Sequence, residues 1–186
     1  MIAYKGFNKK LQATMGKGTF DFVPGKTYEE KECKTANNGF HCAEDPMCAF
    51  GYYSGMSDRY FIVEAAGDLD EDSARRISCT KLTLVKEISR IQLATLACRY
   101  MEKYPDRQQD KSIQKNEGSV CKEGDFVIVR GKNPRAAGVK GSYLFLVKEK
   151  KNSMEIETID VLRVDGTLIK EDIYYMVGGK KCKRKS

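Results

Sequence analysis

The sequence predicts an α+β protein, β-dominated, in which an N-terminal domain with one strong amphipathic helix precedes a small antiparallel β module. Three observations carry this expectation. Short β-rich segments with period-two alternation recur between Gly, Pro, Asn and Asp turn signals. A wide apolar stripe at helical spacing occurs once, over residues 89–104. The stretch 104–118 is almost wholly polar, with Ile113 its only aliphatic residue, and it separates two regions of different character. The expected organisation is therefore an N-terminal domain over 1–103, a flexible connector over 104–118, a β module over 119–179 and a basic tail over 180–186.

The elements follow in order. Residues 1–7 form a short apolar strand ending in Lys5-Gly6-Phe7. Thr19-Phe20-Asp21-Phe22-Val23 alternates and stops at Pro24-Gly25, and a further strand around Tyr28 occupies 26–30. Asn37-Asn38-Gly39 is a turn, followed by the short strand Phe40-His41-Cys42-Ala43. Glu44-Asp45-Pro46 places an acidic cap and a proline where a helix begins, with Met47, Phe50 and Tyr53 on one face. Residues 59–66 are a continuous buried strand, 67–73 an acidic turn and 77–88 a second strand. In the long helix Ser89 is the N-cap, Ile91, Leu93, Ala94, Leu96, Ala97 and Met101 form the apolar stripe, and Pro105 ends it. Beyond the connector, 125–130, 141–148, 154–164 and 167–177 are β-rich, and Asp165-Gly166 signals a hairpin between the last two.

Composition narrows the function classes. At 41% hydrophobic and 10% aromatic residues, the 186-residue chain is that of a folded protein. No apolar run approaches the ~18 residues of a membrane span, and no apolar stretch follows the first residues as in a secretory signal. Seven cysteines, at 33, 42, 48, 79, 98, 121 and 182, form no Cys-x-x-Cys pair, so reduced thiols and a cytoplasmic location in the host cell are expected. His41, Cys42 and Cys48 come nearest to a ligand cluster, but four ligands in two close pairs are wanting and no metal is expected. The acids Asp68, Asp70 and Asp72 imitate the start of a calcium loop, but Ser73 stands where glycine is needed and Cys79 where the closing glutamate is needed. Five of the seven net positive charges lie in Lys180, Lys181, Lys183, Arg184 and Lys185, so the body of the chain is nearly neutral.

The candidate chemistry is sparse. His41, the lone histidine, sits at a strand-to-helix junction where backbone N–H groups face a ligand phosphate or carboxylate. It is open to two roles, a general base or ligand contact, and a histidine bonded to backbone that closes the turn. Any Cys-His or Ser-His set must pass through it, and its neighbour Cys42 points to the opposite face of a strand. Residues 130–151 hold seven bases and one acid, Glu149. A hairpin there would present Arg130, Lys132, Arg135 and Lys140 beside Tyr143 to a phosphate backbone. A solvated hairpin balanced by the acidic strands that follow accounts for the same pattern equally well. The basic tail is either a second polyanion contact or a solubilising end.

Ala3-Tyr4-Lys5-Gly6-Phe7, Gly25-Lys26-Thr27-Tyr28-Glu29, Gly39-Phe40-His41-Cys42-x-Glu44-Asp45-Pro46 and Val63-Glu64-Ala65-Ala66-Gly67 resemble an uncharacterised family. Its members occur in bacteriophages and in Firmicutes with integrated phage. Residues 137–144 and 163–175 resemble the C-terminal module of the same family, whose longer relatives carry Gly/Ser/Ala-rich repeats like a β-solenoid in place of 104–118. The resemblance implies a phage or mobile-element accessory protein without a cofactor that binds a host protein or ribonucleoprotein, such as an inhibitor of a bacterial defence complex of the anti-CRISPR kind. Nucleic-acid contact would then run through 130–151 and the tail. The repeat-bearing relatives imply, as an alternative, a virion structural or assembly component. A second resemblance is to the ADP-ribosyltransferase fold, in which a Gly-aromatic strand like Gly39-Phe40-His41-Cys42-Ala43 precedes a helix. It implies an NAD-dependent modifying enzyme using Tyr4, His41 and Glu87, with Tyr4 where that fold usually supplies Arg or His.

Overall fold

Alternation in the first strand decides how the N-terminal half is built. Strand β1 (Ile2–Phe7) turns Ala3, Lys5 and Phe7 to one face and Tyr4 and Gly6 to the other. In this computed structural model, which describes residues 1–16, 18–72 and 75–184, β1 lies antiparallel between β5 (Phe40–Ala43) and β6 (Arg59–Glu71). The long strand β7 (Arg76–Ile88) pairs with both β5 and β6, so β5, β1, β6 and β7 close into a ring. Short β4 (Thr27–Glu29) joins the free side of β7, and β2 (Gln12–Ala13) with β3 (Phe20–Asp21) makes a separate ribbon. Phe7, Phe40, Phe61, Val63, Leu82 and Leu84 pack the interior, and Phe22 meets Phe7 edge-on at 5.0 Å.

Helix α1 (Pro46–Tyr52) starts as the sequence predicts: the Asp45 carboxylate accepts from Met47 N at 2.9 Å and Pro46 opens the first turn. Gly6 lets this helix lie directly on β1, because a Cβ there would stand 2.9 Å from both the Ala49 carbonyl oxygen and Tyr53 Cδ2. The acidic segment after Ala66 is not a turn. Strand β6 continues through Glu71, with an irregularity between Ala66 and Leu69 where Gly67 has φ 72°. The bulge restores the register, and the Asp70 carboxylate accepts from Thr35 N at 2.6 Å and from its hydroxyl at 2.7 Å. Ser73 lies outside the described residues.

The chain divides into two compact units, Met1–Leu93 and Ala94–Ser186, and the division falls within α2 (Arg90–Lys103). Ser89 caps that helix as expected, its hydroxyl accepting from Gln92 N at 3.1 Å. The second unit carries β8 (Gln114–Val120), β9 (Phe126–Gly138), β10 (Tyr143–Glu149), β11 (Ile156–Arg163), β12 (Tyr174–Met176) and β13 (Lys180–Cys182). They form a curled sheet of order β11-β10-β9-β12-β13, with β8 also on β9. The β-dominated α+β class therefore holds.

Several details of the second unit depart from the expectation. Its sheet is mixed, because β8–β9 and β9–β10 are parallel. Phe126 lies beside Tyr143, Val127 beside Leu144 and Ser119 beside Ala137, so the chain winds as a coil from β8 to β10 and no 130–151 hairpin exists. The turn signal Gly131-Lys132-Asn133-Pro134 makes a bulge instead of a reversal: Lys115 pairs with Arg130 and Glu117 already with Arg135. A proline without an N–H is tolerated at such a bulge, and the strand curls there. The predicted connector 104–118 contains Ile113 at 9% exposure and most of β8, so only its first part lies outside regular structure. Asp165-Gly166 does not join neighbouring strands. The Asp165 carboxylate accepts from Thr167 N at 2.7 Å and Ile169 N at 3.1 Å, and the loop it shapes carries the chain across to β12. The start of the basic tail is β13, paired with β12; residues 185 and 186 lie outside the described residues.

Candidate functional site

The ring of the first unit has a weak seam. Strands β1 and β5 pair at a single register position, Tyr4 opposite Ala43, whereas β1 and β6 pair along all six residues of β1. Past that position the strands part, and the His41 carbonyl accepts from the Lys5 ammonium. A cavity of about 480 Å³ opens here, lined from β1 by Tyr4, Lys5 and Gly6 and from β5 by Phe40, His41 and Cys42. Its volume is that of a site for a drug-sized molecule. Met15, Phe20 and Tyr52 contribute to its lining while remaining exposed at 63%, 41% and 44%.

Lys5 is the notable member of this group. Its neighbours on the same face, Ala3 and Phe7, are fully buried, and Lys5 itself is 9% exposed. The Nζ lies 5.6 Å from the ring centroids of both Phe7 and Phe22. Among the described residues no carboxylate pairs with it. Burial pulls its pKa below the ordinary lysine value, against a smaller opposing influence of Cys42 and Cys79. Those two thiols form a hydrogen-bonded pair inside the ring. The hydrogen bond to Cys79, followed by burial, pushes Cys42 up, and the same bond favours the thiolate of Cys79. Both are free thiols, set diagonally in the ladder: Phe40 faces Cys79, and Cys42 faces Ile77.

His41 closes a turn. Its Nε2 accepts from Ala36 N at 3.0 Å, and the Gly39 carbonyl accepts from the ring. Burial lowers its pKa first, with the charges of Lys5 and Arg76 adding to the effect. Gly39, at φ 79°, is held close: a Cβ would stand 2.6 Å from both Cys33 Cβ and Ser78 Oγ. Tyr4, half-buried with its pKa raised by burial, shares the cavity with His41. Glu87 does not. Its carboxylate is clasped by Arg59, Nε at 2.6 Å and Nη2 at 2.7 Å, and it is absent from the cavity wall. The Tyr4–His41–Glu87 set implied by the transferase resemblance is therefore not assembled.

The basic segment is largely consumed by the fold of the second unit. The Arg130 side chain is fully buried and pairs with Glu149 at 2.9 Å. Its Nη2 donates to the carbonyls of Pro105 and Met154 at 2.7 and 2.8 Å. Lys132 reaches Glu149 at 3.4 Å and the carbonyls of Lys150, at 2.6 Å, and Ser153. Arg135 lies 3.8 Å from Glu117 and donates to the Lys183 carbonyl at 3.1 Å. Lys140 stays exposed and Tyr143 is half-buried. Arg130, Lys132 and Arg135 are thus engaged within the unit, and a parallel coil stands in place of the expected hairpin.

Sequence reasoning passed over Lys5. The available signal was its odd position between Ala3 and Phe7 in an alternating strand, which places an amine on the interior face. Among the described residues no helix is long and apolar enough to cross a membrane, and no group of three His, Cys, Asp or Glu side chains could hold a metal ion. No curated protein and no solved structure matches the chain. A family model described as "Domain of unknown function (DUF7666)" does match, over residues 1–96, an extent that nearly coincides with the unit Met1–Leu93, and the chain belongs to that family.

Proposed function

We propose that this protein is an accessory protein of a bacteriophage or other mobile element that acts by binding a host macromolecule, and that the cavity side of the first unit makes the contact. The contrast between the two candidate surfaces supports this reading. In the second unit Arg130, Lys132 and Arg135 already satisfy internal acids and carbonyls, which leaves little for a phosphate backbone. In the first unit the exposed Met15, Phe20 and Tyr52 line a cavity together with Lys5 and His41, and exposed apolar groups around a concavity are the usual mark of a binding surface. The family match covers this unit, which supports looking for the contact here. Inhibition of a bacterial defence complex is the specific form suggested by the resemblance to phage proteins.

The test combines capture and phenotype. The chain, expressed in a bacterium with an active defence system, should recover a host protein or ribonucleoprotein on affinity purification and should protect an incoming phage. Met15→Glu and Tyr52→Ala should lose both, while Lys140→Glu and Tyr143→Ala should keep both. Capture that survives the rim substitutions and fails with Lys140→Glu would move the contact to the second unit and refute the assignment.

A further inference from the structure

Lys5 is the lysine that the described fold buries, and its environment is unusual for an ammonium group. The groups around it are a backbone carbonyl, two phenyl rings and two thiols. Holding an unpaired positive charge in such a place costs several kcal/mol, whereas a neutral amine carries no such penalty. A desolvated amine in an apolar site is also the form of lysine that attacks carbonyl carbon. Here Lys5 is one of the residues lining a cavity whose walls also include Phe20, Phe40, Tyr52 and Tyr53, with room for an aromatic ring or a short apolar chain.

We propose that the cavity takes an apolar or aromatic aldehyde or ketone, and that Lys5 captures it as a Schiff base. The inference rests on reading the cavity as a binding site and names the ligand chemistry for it. The Nζ lone pair forms a bond to the carbonyl carbon while the C=O π pair moves to oxygen. A proton passes from nitrogen to that oxygen through water, giving a carbinolamine. Loss of the hydroxyl group as water, with the second amine proton, leaves a C=N bond. Water is the only by-product, the capture reverses by hydrolysis, and no oxidant or reductant takes part. His41 is left out of this step because its Nε2 is engaged by Ala36 N.

The test uses the full chain with benzaldehyde as the probe. Cyanoborohydride delivers hydride to the imine carbon, nitrogen takes a proton, and a stable benzylamine records which lysine reacted; peptide mass mapping locates it. At neutral pH and low aldehyde concentration, Lys5 should take the label ahead of exposed Lys26, Lys81 or Lys150, because its lowered pKa leaves it a larger neutral fraction. Lys5→Met should remove the fast label and leave the slow surface labelling unchanged. The wild-type map is decisive without the variant. Benzyl groups on surface lysines with Lys5 unmodified overturn the inference. If partner capture through Met15 and Tyr52 persists in that case, the binding assignment stands and only the carbonyl chemistry falls.

Discussion

Glu149→Gln tests whether the basic segment is part of the fold or a nucleic-acid surface. Arg130 is fully buried at its side chain and Glu149 is 12% exposed, so both members of the 2.9 Å pair are withdrawn from water. Glutamine keeps the shape and removes the charge, leaving a guanidinium without its counter-ion. Breaking a buried pair in this way costs about 3–5 kcal/mol. The Pro105 and Met154 carbonyls remain as acceptors. The Gln109 amide, turned with its oxygen toward the guanidinium, accepts at 3.1 Å from Nε and 3.3 Å from Nη1. These retained acceptors favour the lower end, about 3 kcal/mol. Lys132 also loses its carboxylate, but at 42% exposure that contact adds less than about 1 kcal/mol. For a unit of this size, about 3 kcal/mol corresponds to a fall of about 12–24 °C in melting temperature. Scanning calorimetry reads the shift. Hydrogen exchange with mass spectrometry locates it: β9 and β10 should lose protection while β6 and β7 keep theirs. If Glu149→Gln and Arg130→Ala leave protection unchanged but weaken retention on a polyanion column, Arg130 is a phosphate contact and the structural assignment is wrong.

Four further outcomes are expected. Lys5→Met should stabilise the first unit by about 1–3 kcal/mol in urea titration, because relief of amine desolvation exceeds the cost of orphaning the His41 carbonyl; destabilisation would contradict the account of the seam. Stability should fall as pH is lowered through about 6.5, the ordinary histidine value, and level off below the depressed pKa of folded His41. The sign follows because the unfolded state binds the proton first; His41→Gln should remove that part of the pH profile. Gly6→Ala places a Cβ 2.9 Å from the Ala49 carbonyl and should cost about 1–3 kcal/mol in the same titration. Glu87→Gln should cost no more than about 1 kcal/mol, since its pair with Arg59 is 45% exposed on the glutamate side. With labelled NAD and lysate, Glu87→Gln should not alter the product pattern, and loss of a labelled product would restore the transferase reading.

Local signals were the most legible part of the sequence. Asp45-Pro46 and Ser89 announced both helix starts, and the apolar and β-rich runs placed β1, β5, β7 and the start of β6 close to their observed bounds. What failed was the difference between a turn and a bulge. Gly67 and Gly131-Lys132-Asn133-Pro134 carry reversal chemistry, yet each lies in a strand whose neighbour supplies a continuing ladder, and tertiary pairing prevails over local preference. The same error made a basic hairpin out of β9 and β10. Charge counting then treated Arg130 as surface, because a lone arginine among Val127, Ile128 and Val129 gives no local sign of the Glu149 side chain waiting 19 residues later. For the cavity, the separation of β1 from β5 after one pair is a property of the closed ring and is not written in either strand alone.

The seam also bears on why an amine occupies position 5. If Lys5 served only to tie β1 to β5, one more backbone pair beyond Tyr4 and Ala43 would do so without placing an ionisable group inside the ring. Methionine at the same position would fill the space between Phe7 and Phe22 with a side chain of similar length. The fold instead keeps the ladder short and opens at the gap a cavity that Lys5 helps to line. A buried, desolvated amine at a concavity belongs to the class of groups that proteins retain for function. The comparison that separates structure from function is therefore Lys5→Met. A variant that is more stable, equally well folded and unable to hold a carbonyl probe would show the amine is kept for its chemistry, and a less stable one would make it a strut.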